Sequence, residues 1–264
     1  MSEISKPKLC DYKKWLKETH DVTIDGRYEV YYNAVANQIK AQVLEANIWE
    51  EITKNLMKEN YEYYTNTDGY DLLTSKEAPV LLVKPYESFM EKTYRKNISF
   101  NKCFPDSPPN GWLLPSNWFS NINDVSRTMI VVKYLDGVKH LSEWIKTLCK
   151  EKDIPVRVFY EAREEGYYAS HIYIDLEVEI PKMGWDTELI PVKIEIQVTT
   201  QLQEMIKDML HQHYEASRIG SKKRSQKWQW DYKSDEFSAN YLGHILHYLE
   251  GIIMNVRDKE IEDV

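Results

Sequence analysis

In the segment PVKIEIQVTT (191–200), Lys193, Glu195, Gln197 and Thr199 alternate with Ile194, Ile196 and Val198. A period of two is that of a strand with one apolar and one polar face. A cation, a carboxylate, an amide and a hydroxyl therefore line up on one side of a sheet. Such a row is also what a half-exposed strand carries, and two other segments bear on the choice. In KPYESFMEKTYRK (84–96), Lys84, Ser88, Lys92 and Arg95 recur at steps of four, four and three, which predicts one shared helix face. Three cations and a hydroxyl in line suit a polyphosphate, because charged donors make the stronger bonds to phosphate oxygens. Glu87 and Glu91 lie among them, so a solvated, ion-paired helix is the other reading. In REEGYYASH (163–171) a glycine turn leads through Tyr167 and Tyr168 into a strand-like run. A tyrosine beside a turn can stack on a base; in a chain with 19 tyrosines, a packing role is equally open.

Taken in order, these segments resemble the synthetase domain of the RelA/SpoT family, the nucleotide pyrophosphokinases that make (p)ppGpp. Lys84, Ser88, Lys92, Arg95 and Lys96 match the family's basic block, with Leu82 in place of its leading arginine, which stacks on the ATP adenine. Asp124 in DVSRTMIVV matches an aspartate that opens a hydrophobic strand, with Arg127 at a glycine position and Met129 at an arginine position. The guanosine-stacking loop maps onto Arg163, Gly166, Tyr167 and His171, with one residue between Tyr168 and Ser170. The last block, Glu-x-Gln-x-Arg-Thr, maps onto Glu195, Gln197, Thr199 and Thr200 without its arginine, and His211 matches a histidine common in the helix that follows. The resemblance covers roughly Pro79–Tyr214. No block is specific alone; the order of all four carries the likeness.

The resemblance implies an α/β (α+β) fold, a mixed five-stranded, nucleotidyltransferase-like sheet flanked by helices. It implies an alarmone-making, GTP/GDP pyrophosphokinase-like transferase of the stringent response. Such an enzyme moves the β,γ-pyrophosphate of ATP to the ribose 3′-hydroxyl of GDP or GTP. Asp124 and Glu195 would hold Mg²⁺, a hard cation that takes one or two carboxylates plus substrate phosphates. Glu195 would also act as base toward the hydroxyl or orient it. Lys84, Ser88, Lys92, Arg95 and Arg127 would bind ATP, with Lys92 also catalytic through the developing charge. Arg163, Tyr167, His171 and Gln197 would bind the acceptor nucleotide. Leu82, Met129 and Thr199 each remove an expected cation, and two alternatives stay open. One is pyrophosphorylation of the tRNA 3′ CCA end by a growth-inhibiting toxin with a protein antitoxin as partner. The other is a catalytically inactive nucleotide- or RNA-binding module. Residues 218–233, RIGSKKRSQKWQWDYK, set six lysines or arginines against one acid among Trp228, Trp230 and Tyr232. That suits an RNA backbone with stacking bases, or a solvated loop with buried tryptophans.

The positioning elements follow from periodicity. Residues 29–60 predict one or two amphipathic helices and Asn60–Ser75 a connector; a helix begins near Pro85, and the proline-rich stretch 98–123 reads as a long loop anchored by Trp112, Trp118 and Phe119. Strands are predicted at Thr128–Tyr134, Val156–Tyr160, Ser170–Val178 and Leu189–Val198, and helices at Gly137–Lys150, Leu202–Tyr214 and Phe237–Val256. In the last of these, Leu242, Ile245, Leu246, Leu249, Ile252 and Ile253 predict a stripe packed on the core. This divides the chain into an N-terminal helical region (1–78), a catalytic core (79–215) and a basic loop with a C-terminal helix (216–264). With 264 residues, 42% apolar and 29% charged, the chain has a globular composition, and its net charge of -8 speaks against an indiscriminate nucleic-acid coat. Three separated cysteines match neither a disulfide framework nor zinc spacing, which points to a reducing cytoplasm. No apolar run reaches signal or membrane-spanning length.

Overall fold

A computed structural model describes residues 5–182, 186–207 and 227–262. After a short α1 (Tyr12–His20), the two amphipathic helices form as α2 (Gly26–Glu45) and α3 (Asn47–Asn66). Asp25 starts α2 by accepting the Arg27 backbone N–H on its carboxylate, which satisfies an amide the helix itself cannot. Val35, Ala36, Ile39 and Val43 recur at helical spacing and bury completely. Helix α3 runs on through residues expected in the connector. Tyr63 is buried and its hydroxyl donates to Asp136 Oδ2 at 2.7 Å, so tertiary burial extends the helix.

The sheet is mixed and five-stranded, with helices flanking it. Its strands are β1 (Leu82–Val83), β2 (Ser126–Val132), β3 (Val156–Ala162), β4 (Tyr168–Pro181) and β5 (Thr187–Thr200), in the order β1-β2-β5-β4-β3. The apolar periodicity predicts four of them; β1, two residues long, is too short to have a period. It pairs antiparallel with β2, setting Leu82 opposite Arg127 and Val83 opposite Ser126. On β5 the alternation holds, but the polar face is not a solvent face. Glu195 and Thr199 are only 4% and 5% exposed, and Lys193 and Gln197 are half-buried.

The remaining helices are α4 (Tyr86–Tyr94), α5 (Trp118–Asn121), α6 (Leu135–Glu151), α7 (from 201 through the described residue 207) and α8 (Asp235–Glu262). The chain comprises two compact units, Met1–Ala46 with Leu81–Arg127 and Ile174–Glu195, and Asn47–Val80 with Thr128–Tyr173 and Ile196–Val264. In the first, the long loop is tied down by Asn97. Its side chain donates to the Leu113 carbonyl and accepts the Leu113 N–H, both at 2.9 Å, as a strand neighbour would. Trp118 and Phe119 bury as expected, and Trp112 is half-buried beside Trp15.

In the second unit, α8 departs from the expected stripe. Leu242 and Leu246 do pack against Ile206 and Ala239, but Ile245, Leu249, Ile252 and Ile253 are exposed. The buried face is instead Asn240, Gly243, Glu250 and Arg257. Arg257 lies 5.2 Å from the ring centroids of both Tyr70 and Tyr134, and its guanidinium donates to Asp136 at 2.5 Å and to the Tyr63 hydroxyl at 3.1 Å. Specific polar partners, rather than aliphatic area, decide which face turns in.

Among the described residues no helix is long and apolar enough to cross a membrane. Cys10 and Cys103 are exposed, whereas Cys149 is buried and burial pushes its thiol up to about 11. At pH 8 only on the order of one Cys149 in a thousand is a thiolate, the reactive form. Native protein treated with iodoacetamide should therefore gain two adducts by mass spectrometry, at Cys10 and Cys103. The third should appear only on unfolding.

Candidate active site

Pro85 decides how the basic segment is arranged. The residue before a proline avoids helical backbone, so Lys84 stays in the link and α4 begins at Tyr86. Lys84 therefore does not share a helix face with Ser88, Lys92 and Arg95, as its spacing suggests. The link is pinned on both sides: Lys84 N–H donates to Val125 O at 2.9 Å, and Tyr32 OH donates to Lys84 O at 2.6 Å. From there the Lys84 ammonium reaches Asp124 Oδ2 at 3.0 Å, while Lys92 from α4 stands 2.8 Å from Oδ1. Lys84 and Asp124 are each 6% exposed. Burial, the largest influence, pushes the Asp124 carboxyl up, yet the Lys92 and Lys84 ammoniums together hold it below its usual value. Burial pulls the Lys84 ammonium down against the attraction of Asp124.

The other donor-side residues spread around this pair. Arg95 opens a π-helical turn (Arg95–Ser99) and lies 3.7 Å from Glu91; Ser88 is exposed on α4. Such turns interrupt an α-helix and recur at functional sites. Lys96 donates to Asn121 O at 3.0 Å, and its ammonium is pulled down first by burial and then by the nearby charges of Lys92 and Lys193. Arg127 acts on Lys84 in the same sense. Lys84, Lys92, Lys96, Lys193 and Arg127 thus form one cationic group around Asp124. Lys193 shares its strand face with the buried Glu195 two residues on. Lys96, matched in the basic block, and Lys193, in the polar row of β5, belong to the same group. Each is an ordinary lysine until the strand and the turn converge.

Among the described residues no three His, Cys, Asp or Glu side chains come together as a metal cluster. A hard cation shared with substrate phosphates needs only one or two carboxylates. Asp124 Oδ1 is buried, and the Lys92 ammonium 2.8 Å away is the partner a metal cation would displace from it. That oxygen fits a divalent cation, and its chemistry is of the right kind.

The second group lies at the β3–β4 turn. Gly166 has φ +78°, a left-handed backbone that favours glycine. Its N–H donates to Arg163 O at 3.0 Å, and Arg163 N–H donates to Tyr167 O at 3.0 Å, closing the turn. The Arg163 guanidinium donates to Glu161 Oε2 at 2.9 and 2.5 Å and lies 5.0 Å from the Tyr167 ring centroid. The Tyr167 hydroxyl is 3.2 Å from His171 Nε2, and that nitrogen is 3.5 Å from Glu161 Oε2. Glu161, Arg163, Tyr167 and His171 close into a ring of contacts. Only Glu161 was absent from the motif reading, because a carboxylate on a strand edge has no spacing signal. Ser170 is buried and bonds Ser142 at 2.8 Å, a packing role. Gln197 is half-buried on β5, on the strand face that carries Glu195. Lys207 of α7 donates to Met129 Sδ at 3.4 Å, which brings a cation to one position where the motif lacks its arginine. His211 and most of the basic stretch 218–233, including Lys222, Lys223 and Arg224, lie outside the described residues. Of that stretch's aromatics, Trp228 packs on Tyr241, whereas Trp230 and Tyr232 are exposed rather than buried.

No family model and no curated protein matches the chain. Solved structures do. A GTP pyrophosphokinase family protein from Streptococcus pneumoniae superposes with a TM-score of 0.52 at 16% identity, covering 91% of this chain and 97% of that one. Small alarmone synthetase 1 from Bacillus subtilis gives 0.50 at 16% identity, covering 90% and 97%. The same enzyme bound to its product pppGpp gives 0.50 at 16% identity, covering 85% and 99%. At this identity the agreement is one of chain path, and it extends well beyond the stretch that carries the motifs. The chain has the fold of the RelA/SpoT-type small alarmone synthetases.

Proposed function

We propose that this chain is an ATP-dependent pyrophosphokinase whose acceptor is GDP or GTP, a maker of (p)ppGpp-type alarmones. The observation that carries this reading is the buried Asp124 clamped by Lys84 and Lys92 within a five-cation group. Taking two charges out of water costs several kcal/mol per ion, which their attraction offsets only in good geometry, and charged pairs in such surroundings concentrate at functional sites. Lys92, with its side chain 24% exposed, can leave Asp124 Oδ1 for a phosphate, while Lys84, at 8%, stays as the fixed counter-charge. Lys92, Ser88, Arg95, Lys96 and Lys193 then hold the triphosphate. Arg127 stands directly across the strand pair from Leu82 and supplies the guanidinium for the adenine that the Leu82 position lacks. Paired residues on neighbouring strands project on one side within about 5 Å of each other.

In the reaction the acceptor 3′-oxygen bonds to the β-phosphorus of ATP. The bond from that phosphorus to the oxygen bridging the α-phosphate breaks, and AMP leaves. Glu195 orients the hydroxyl and takes its proton. The lysines stabilise charge as it develops on the transferred oxygens. Mg²⁺ held by Asp124 Oδ1 and Glu195 would neutralise the phosphates. On the acceptor side Tyr167 stacks on the base with the ring face opposite Arg163, and Gln197 and His171 bond the nucleotide. Nucleotide substrates and three free cysteines fit a cytoplasmic enzyme.

The exposed Trp230 and Tyr232 favour tRNA as a second acceptor reading. Purified protein with γ-labelled ATP, Mg²⁺ and GDP, GTP or deacylated tRNA decides. Label in the guanosine nucleotide with matching AMP release is the expected result. Label only in tRNA favours the toxin reading, and no transfer to any acceptor overturns the enzyme. Tyr167→Ala should raise the acceptor KM about ten- to a hundredfold, the worth of one base–aromatic stack, and leave the ATP KM unchanged. An unchanged acceptor KM would remove Tyr167 from the site.

A further inference from the structure

The acceptor turn is clasped from behind by α8. Gly166 and Gly243 meet backbone to backbone: a methyl on Gly166 would stand 2.5 Å from Asn240 O and 2.9 Å from His244 N, and one on Gly243 only 2.4 Å from Gly166 O. Real Cβ atoms do not come that close, so both glycines are required at this crossing. His244 then bridges the turn. Its Nε2 lies 2.9 Å from the Glu164 carbonyl and its Nδ1 2.8 Å from the Tyr168 hydroxyl. A carbonyl only accepts, so in the neutral ring Nε2 carries the hydrogen and Nδ1 accepts from Tyr168. Tyr168 is held a second time, its ring stacked on His247 at 3.6 Å and 10°. His247 is 3.1 Å from Glu250 Oε2, and the other oxygen of the buried Glu250 accepts from Thr200 at the end of β5. Thr199 in turn donates to Tyr168 O at 3.3 Å. One helix therefore ties the residues either side of the Gly166 turn to the strand end that follows Gln197.

We propose that His244, His247 and Gly243 are positioning residues. They fix Tyr168 on one side of the strand so that Tyr167, which alternation sends to the opposite side, is held ready for the acceptor base. None of the three touches substrate; they act through the turn. This explains why α8 buries Gly243 and Glu250 and half-buries His244 and His247 while leaving Ile245, Leu249, Ile252 and Ile253 outside. The proposal rests on the acceptor-site reading above, and its test separates the two.

The test uses the full chain and the variants His244→Ala, His244→Gln, Gly243→Ala and Tyr168→Phe, with Tyr248→Ala, exposed on α8, as control. Backbone hydrogen exchange at residues 163–168 and the KM values for GTP and ATP are measured together. His244→Ala should exchange about tenfold faster at 163–168 and raise the GTP KM about tenfold, as for a lost hydrogen bond worth about 1 kcal/mol, with the ATP KM within about twofold. His244→Gln, which keeps a donor and an acceptor, should recover part of both effects. Tyr168→Phe removes only the hydroxyl and should move the same readouts less. Tyr248→Ala should move neither. Wild-type exchange at 163–168 in His244→Ala and Tyr168→Phe overturns the proposal. So does a parallel loss of protection along the whole chain with both KM values rising, which marks a merely structural role. If the wild-type protein transfers nothing to GTP, the functional reading fails, and exchange at 163–168 alone still decides whether α8 holds the turn.

Discussion

Glu195→Gln is expected to fold like the native protein and to lose pyrophosphate transfer by about 10²–10⁴-fold, the range for removing a positioned acid–base group. Glutamine keeps the shape and can be accommodated at a side chain only 4% exposed. What it removes is the negative charge on the strand face shared with Lys193 and the basicity proposed to act on the acceptor hydroxyl. Glutamine cannot hold a divalent cation as a carboxylate does. The variant's melting temperature should stay within a few degrees of wild type, and nucleotide binding measured by calorimetry should survive. Transfer at the wild-type rate would take Glu195 out of the reaction and leave it a buried strand residue.

Asp124→Asn should be costly twice over. It leaves the Lys84 ammonium, 6% exposed, without its counter-charge at 3.0 Å. Breaking one partner of a buried ion pair costs about 3–5 kcal/mol. Lys92 is freer and returns to solvent, so most of the penalty belongs to Lys84. Transfer should be lost as well, because the fixed carboxylate organises the phosphate-holding lysines. Lys84→Met added to Asp124→Asn removes the stranded charge and should restore much of the stability without restoring transfer. Urea unfolding of the wild type, both single variants and the double variant checks this. Strong coupling between the two substitutions is expected, and simple additivity would show that the pair is not a unit.

Much of the fold was legible because its signals are local. The period of two in β5 needs only adjacent residues, and the helical spacing of Val35, Ile39 and Val43 needs only α2 itself. Asp124, Glu195, Lys92 and Gly166 were likewise visible as residue types in an order that resembles a known family. The expected helix face holding Lys84 failed for an equally local reason, the backbone restriction imposed by Pro85. Strand β1 was not legible, since two residues have no period and exist as a strand only where β2 offers them partners. Whether the polar row on β5 faces solvent stayed open, because alternation reports which residues share a face and says nothing about what covers it.

The sequence by itself therefore determined the element types, the strand faces and the candidate chemistry, all of which depend on residues a few positions apart. Tertiary structure alone decided that Lys84 and Lys92 share the two oxygens of Asp124, and that Arg127 stands across from Leu82. It also brought Glu161 to Arg163 and His171, and turned α8 with Glu250 and Arg257 inward and Ile252 and Ile253 outward. The helical period of α8 allowed the opposite orientation. Partners as distant in sequence as Asp136, Tyr168 and Thr200 chose between the two faces, because buried polar groups must find their hydrogen bonds while exposed aliphatic ones need find nothing.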